Sequence, residues 1–363
     1  MGDELKFDGG FTVESWEYAT AFSESLGTLP TSVTSVVRLL LSDFEKNPAE
    51  LSEYGRFFVS RFLKSKTLQA AYYYLSRHLK PEHVPPPEEP FGAPELLKIF
   101  SGEDHAYLLS IIFFHRQAKK YCDNTLFHSV TGMLQKGINL GGAIGDKLPS
   151  VGFGTGLLCG SLQFLGLFSF VRHDPDGFTK YLKHVRSNGH SVDWEVEFEL
   201  WQCNSLQVGI MIMQRAGLGA ARLSKLMRGL GTRSPILPHD PFESACRALD
   251  LWYQCVSHKR TIPAVPLPPK FYISSKDLES VLGLLNKPAS HRETSWLMRT
   301  KGDINSKETP QLFVERLLQP EAPQPLSAEP AEIPAELGSA LPQDAVDSLS
   351  EKLLQDILSV DID

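Results

Sequence analysis

The sequence predicts an all-α protein: a multi-helical bundle followed by a flexible C-terminal tail. Three observations carry this. Apolar residues recur at spacings of three and four through most of the first 290 positions. No stretch alternates with the period of two that marks a half-buried strand. After Leu318 the composition turns proline-rich and acidic, in Q-P-E-A-P-Q-P-L-S-A-E-P-A-E-I-P-A-E. The 363 residues are 42% hydrophobic, enough to bury a sizeable core.

Near the start, S-W-E-Y-A-T-A-F-S-E-S-L has helical spacing. In L-G-T-L-P-T-S-V-T-S-V-V-R-L-L-L, Pro30 suits a first turn, where its missing N–H is no loss. Val33, Val36, Val37, Leu40 and Leu41 then make one stripe. Asn47-Pro48 punctuates, L-S-E-Y-G-R-F-F-V-S-R-F-L-K resumes the spacing, and A-A-Y-Y-Y-L-S-R-H-L closes an N-terminal helical part over 11–80. The run P-E-H-V-P-P-P-E-E-P-F-G-A-P-E at 81–95 lacks too many donors for a helix interior and predicts a Pro-rich connector. Helix is predicted again over 95–147, broken near Cys122-Asp123-Asn124. The glycines from 137 to 156 predict a turn before a buried helix at about 156–170. D-P-D-G at 174–177 is a turn. Helices are expected at 177–187, 194–216, 219–229 and 242–258, with loops at 233–241 and 261–269. Short helices fit 275–286 and 309–318.

The chain thus divides into a helical domain over 1–290, a peripheral helix over 291–318, a Pro/acidic linker over 319–340 and an amphipathic helix over 341–363. In the last segment Val346, Leu349, Leu353, Ile357 and Val360 form a stripe, with Leu354 and Leu358 beside it. A tethered helix of this kind fits a groove, on a partner or on its own domain. It is the candidate partner-binding element.

A net charge of −7 gives no broad attraction for phosphate backbones, so no nucleic-acid partner is expected. Arg222, Lys225 and Arg228, at helical spacing, read as a solvated face. Cysteines at 122, 159, 203, 246 and 255 contain no C-x-x-C pair, which signals neither a disulfide framework nor a zinc site. A reducing cytoplasm is the expected location. The opening M-G-D-E-L-K-F-D has neither an apolar stretch nor the Ser or Thr that myristoylation requires, so no leader or lipid anchor is expected. Leu148 to Val171 carries no charge and is long enough to span a bilayer. Its proline, five glycines and several hydroxyls favour a buried helix pair instead. Membrane association through 148–171 stands as an alternative.

His173-Asp174 and His239-Asp240 both lie at proline-bearing turns that lead into helices, which assigns them to turns and caps. D-P-D-G fails as a calcium loop, because Val185 stands where the twelfth-position glutamate belongs. G-F-G-T-G and G-G-A-I-G follow no strand and lack G-K-[ST], so close helix packing explains them better than phosphate binding. Cys159, in an apolar run, reads as a small buried hydrophobe. No nucleophile, metal site or cofactor is nominated.

Three stretches, in order, resemble the HDOD domain, the HD-related output domain of bacterial signalling proteins. L-G-T-L-P-T-S-V-T-S-V-V-R-L-L-L at 26–41 looks like the family's leucine-proline opening. G-T-G-L-L-C-G-S-L-Q-F-L-G at 154–166 looks like its A-G-L-L-H-D-I-G segment. In E-L-W-Q-C-N-S-L-Q-V-G-I-M-I-M-Q-R-A-G-L at 199–218, Glu199, Val208, Gly209, Gly217 and Leu218 keep the family register. His128 lies about where the family has a histidine before the second motif. The likeness covers roughly 15–260 and makes 96–260 a degenerate HD-like part. Cys159 and Gly160 replace the His-Asp dyad, and Asn204-Ser205 replaces a later histidine. Of the ligand set only His128 remains, and one imidazole does not hold a catalytic divalent ion. The resemblance therefore implies an HD-superfamily-like bundle and a non-catalytic regulatory or scaffolding protein, acting in bacterial signal transduction through protein partners. A residual metal-dependent phosphohydrolase is the enzymatic alternative.

Overall fold

Helix starts are where the chain is most explicit. Asp123, Asp174, Asp193, Asn204 and Asp240 each precede a helix and accept backbone N–H groups of its first turn. Thr12 and Ser101 do the same with reciprocal capping boxes. The computed structural model describes residues 11–85, 91–189, 191–232, 234, 236–285 and 295–300. Among these there are fourteen α-helices and no strand. They are α1 (Val13–Glu24), α2 (Thr31–Lys46), α3 (Glu53–Phe62), α4 (Lys66–Leu79), α5 (Ala93–Ile99), α6 (Gly102–Tyr121) and α7 (Asn124–Lys147). There follow α8 (Phe153–His173), α9 (Pro175–Ser187), α10 (Trp194–Trp201), α11 (Ser205–Arg215), α12 (Ala220–Leu230), α13 (Pro241–Ser257) and α14 (Ser275–Leu285). Single 3₁₀ turns lie at Pro81–His83, Pro269–Phe271 and Trp296–Met298.

The all-α expectation holds, and α8 is the axis of the bundle. It packs against α6, α7 and α11, and more lightly against α1, α9 and α13. Only Gln163, Arg172 and His173 of its 21 residues escape burial. The helix is long and apolar enough to cross a membrane, but 94% of that apolar window is buried inside the protein. A helix enclosed on all sides by protein is what an all-round apolar sequence forms in a bundle core. The N-terminal part is not a separate unit: α1 packs on α11 and α8, and α2 on α6.

Two sequence expectations are corrected. The glycines between 137 and 156 do not mark a broad turn. α7 runs unbroken through Gly137, Gly141, Gly142 and Gly145, and only residues 148–152 turn the chain. Gly137, Gly141 and Gly145 face Gly160, Gly156 and Gly152 of the antiparallel α8, backbone against backbone. A Cβ at Gly137 or Gly160 would lie closer than 3.0 Å to the other's carbonyl oxygen. Gly141 and Gly156 stand in the same relation. Helix propensity is given up for close packing here, which a local reading of glycine as a breaker misses. The second correction concerns 194–216, which is two helices. Gln202 takes a left-handed conformation (φ 59°), and Asn204 recaps the chain into α11. The peripheral helix over 291–318 is described only at 295–300. The linker over 319–340 and the 341–363 helix lie outside the described residues.

Candidate functional site

The positions that resemble an HD site are His128, Cys159, Gly160, Asn204 and Ser205. The structure does not bring them together. Gly160 opposes Gly137 across the helix pair, and His128 lies nine residues earlier on α7, about 13 Å along the axis at 1.5 Å per residue. Ser205 touches α8 at Gly166, whose missing Cβ would collide with the Ser205 carbonyl. That is six residues, about 9 Å, beyond Gly160.

Each side chain is engaged locally. His128 is exposed on the first turns of α7, and its Nδ1–H donates to the Asn124 carbonyl at 2.6 Å. Cys159 is buried, with Cys246 of α13 as its neighbour. Cys246 and burial together push its thiol well above the ordinary value, which disfavours the nucleophilic thiolate. Gly160 offers no donor atom, and the Gly137 carbonyl occupies the space a side chain there would need. Asn204 Oδ1 accepts from Gln207 N at 2.8 Å, and Gln207 Oε1 accepts from Asn204 N at 3.1 Å. Gln207 Nε2 also donates to Ser15 Oγ at 2.9 Å, tying α1 to this end of α11.

The residue that sequence reasoning missed is Glu197. It is fully buried and lies against the N-terminus of α11. Its carboxylate accepts from Ser205 N at 2.6 Å, from Ser205 Oγ at 3.2 Å and from the Tyr181 hydroxyl. Tyr181 in turn accepts from Asp193 N at 3.0 Å. Burial pushes the Glu197 carboxyl up to about 7 against the lowering effect of these donors. Glu199, the glutamate singled out by the resemblance, is exposed. The available signal was helical phase: Trp194, Glu197 and Trp201 share one face at spacings of three and four. Glu197 has no open path to a substrate, so it is a structural carboxylate that fastens α9 and α10 to α11.

The cap assignments hold, but the turn expected at 174–177 shrinks to Asp174, because His173 ends α8 and Pro175, Asp176 and Gly177 already form the first turn of α9. Asp174 caps α9 through Gly177 N and accepts from Trp201 Nε1 at 3.2 Å, while His173 lies edge-on to Phe22. Asp240 caps α13 and pairs with Lys225 at 2.6 Å. The glycine-rich start of α8 meets a protein carboxylate rather than an open anion site: buried Asp104 accepts from Gly154 N and Ser101 N. Among the described residues, no group of three or more His, Cys, Asp or Glu is placed to hold a metal ion.

One concave feature has the size of a binding site. It is a cleft of about 1200 Å³, lined from α7, α8, α9, residues 191–195 and α13. Its apolar surface includes Met133, Phe164, Leu182, Trp194 and Tyr253. Within it, Arg247 Nη1 donates to Asp250 Oδ2 at 2.7 Å, and Gln254 Nε2 donates to the same oxygen at 2.9 Å. Burial raises the Asp250 carboxyl to about 6, with Arg247 opposing the rise. The cleft adjoins the closed Gly137–Gly160 contact through Phe164, which lines the one and packs on Gly137 in the other. No protein-family model matches this chain, and comparison with curated proteins and with solved structures finds no similar protein.

Proposed function

We propose that the chain is a non-catalytic regulatory or scaffolding protein of the HDOD type, acting through protein contacts in bacterial signal transduction. The observation that carries this reading is the contact between α7 and α8 at the position of the lost dyad. A catalytic His-Asp pair must project donor atoms into an open cavity. Here position 159 holds a buried free thiol beside Cys246, and position 160 is pressed against a backbone carbonyl. His128 and Ser205 sit on other levels of the bundle with local partners. The protein accordingly works in the cytoplasm with protein partners and without a metal or cofactor.

The test is metal analysis of the purified full chain, with hydrolysis assays on cyclic dinucleotides, nucleotides and an aryl phosphodiester in the presence of Mn²⁺. The expected result is substoichiometric metal and turnover at the uncatalysed background. One or two Mn, Fe, Ni or Zn ions per chain, with hydrolysis, would instead establish the phosphohydrolase.

A further inference from the structure

The 1200 Å³ cleft exceeds the 300–1,000 Å³ typical of small-ligand pockets and suits the embedded half of a helix. Its floor includes Gly132, in the interior of α7. A Cβ there would meet nothing within 4 Å, so helix packing does not explain this glycine as it explains Gly137 and Gly141. Besides Arg247, which is paired with Asp250, three cations line the cleft: Lys136, Arg186 and Lys259. None of them makes an ion pair among the described residues. Of the cleft acids, Asp250 is paired with Arg247 and Asp193 with His184 at 3.0 Å, and exposed Glu195 lies among the same lining residues. The cleft therefore asks for an occupant with an apolar stripe and acidic flanks.

We infer that the occupant is the chain's own segment 346–360. The last described residues leave from the cleft edge: buried Trp296 donates through Nε1 to Asn139 Oδ1 at 2.9 Å, and Asn139 lines the cleft. Residues 301–363 carry thirteen acidic and four basic side chains, opposite in sign to the cleft rim. At 100° per residue, Val346, Leu349, Leu353, Ile357 and Val360 fall on one face of a helix. Asp356 flanks that face on one side, and Asp347 and Asp361 on the other. The Pro/acidic linker over 319–340, read as a coil, reaches roughly 23–28 Å, enough to hold the segment at millimolar effective concentration. Docking in cis covers the cleft until a partner with a stronger stripe displaces the tail. This rests on the reading of a protein that works through contacts. Metal and hydrolysis assays judge that reading, and the experiment below judges the docking.

Carbodiimide joins lysine amines to carboxylates already in contact, and Lys225–Asp240 is an internal control. An equal mixture of ¹⁵N and ¹⁴N full-length chains is cross-linked and mapped by mass spectrometry. The expected products join Lys136 or Lys259 to Asp347, Glu351, Asp356 or Asp361 within one isotopic chain. Leu353→Asp/Ile357→Asp should reduce them about tenfold, with helicity and the control link unchanged. The docking is overturned if the control forms without groove-to-tail links. It is also overturned if about half of those links join unlike isotopes, which means a second copy, or if the double variant leaves them intact.

Discussion

Glu197 shows what one buried side chain does to the response of the whole molecule to pH. Its carboxyl rises from an ordinary value near 4.5 to about 7 because burial disfavours the charge, with Tyr181 and Ser205 donating to it and Asp193 adding a nearby negative charge. A raised carboxyl binds its proton more tightly in the folded chain than in the unfolded one. Its contribution to stability is thus complete below about 4.5 and is lost as pH rises through about 7. Glu197→Gln removes this loss. Measured by urea unfolding, the wild type should lose roughly 2–3 kcal/mol more than the variant between pH 4.5 and 8. Parallel curves would mean that Glu197 is not perturbed. The buried histidines titrate with the opposite sense, which is why the variant comparison is needed. His115 is lowered to about 3 and His105 to about 4 by burial, so their contributions are lost on acidification below about 6.5. None of these environments was legible from residue type. The sequence marks Glu197 only by its phase between Trp194 and Trp201, and the resemblance pointed two residues away, to exposed Glu199.

At the scale of elements, the same residue type has opposite meanings on one helix. Gly137 lets α7 approach α8 to backbone contact, whereas Gly132 faces the open cleft with nothing near it. Gly132→Ala should therefore stabilise by about 0.5–1 kcal/mol through helix propensity alone. Gly137→Ala should destabilise by about 1–3 kcal/mol, because its methyl must push the helices apart. Urea midpoints of the two variants check the pair, and shifts of the same sign would contradict the packing. The four-residue glycine repeats, 137-141-145 and 152-156-160, were visible in the sequence. Glycine is both breaker and contact residue, and only the partner helix decides which. The caps at Asp174 and Asp240 were legible, since each binds its own following N–H groups and needs no tertiary information. The break at Gln202–Asn204 was not. A left-handed glutamine carries no sequence mark, and apolar spacing continues across it.

For the whole molecule, the all-α class and most helix positions follow from periodicity, because a bundle of short-range elements is specified by local pattern. The arrangement of the HD-like positions does not. Their order along the chain is kept, but His128, Gly160 and Ser205 lie on successive levels of the bundle rather than around one cavity. Close packing of α7 on α8 fills the positions that resemble the HD dyad. The most direct measurement introduces a His-Asp dyad as Cys159→His/Gly160→Asp and follows unfolding by urea with and without saturating Mn²⁺. Packing of this kind predicts a loss of more than about 3 kcal/mol, from overpacking and a buried charge, that the metal does not repair. A variant as stable as the wild type, which binds one or two Mn²⁺ ions and is further stabilised by them, would contradict it.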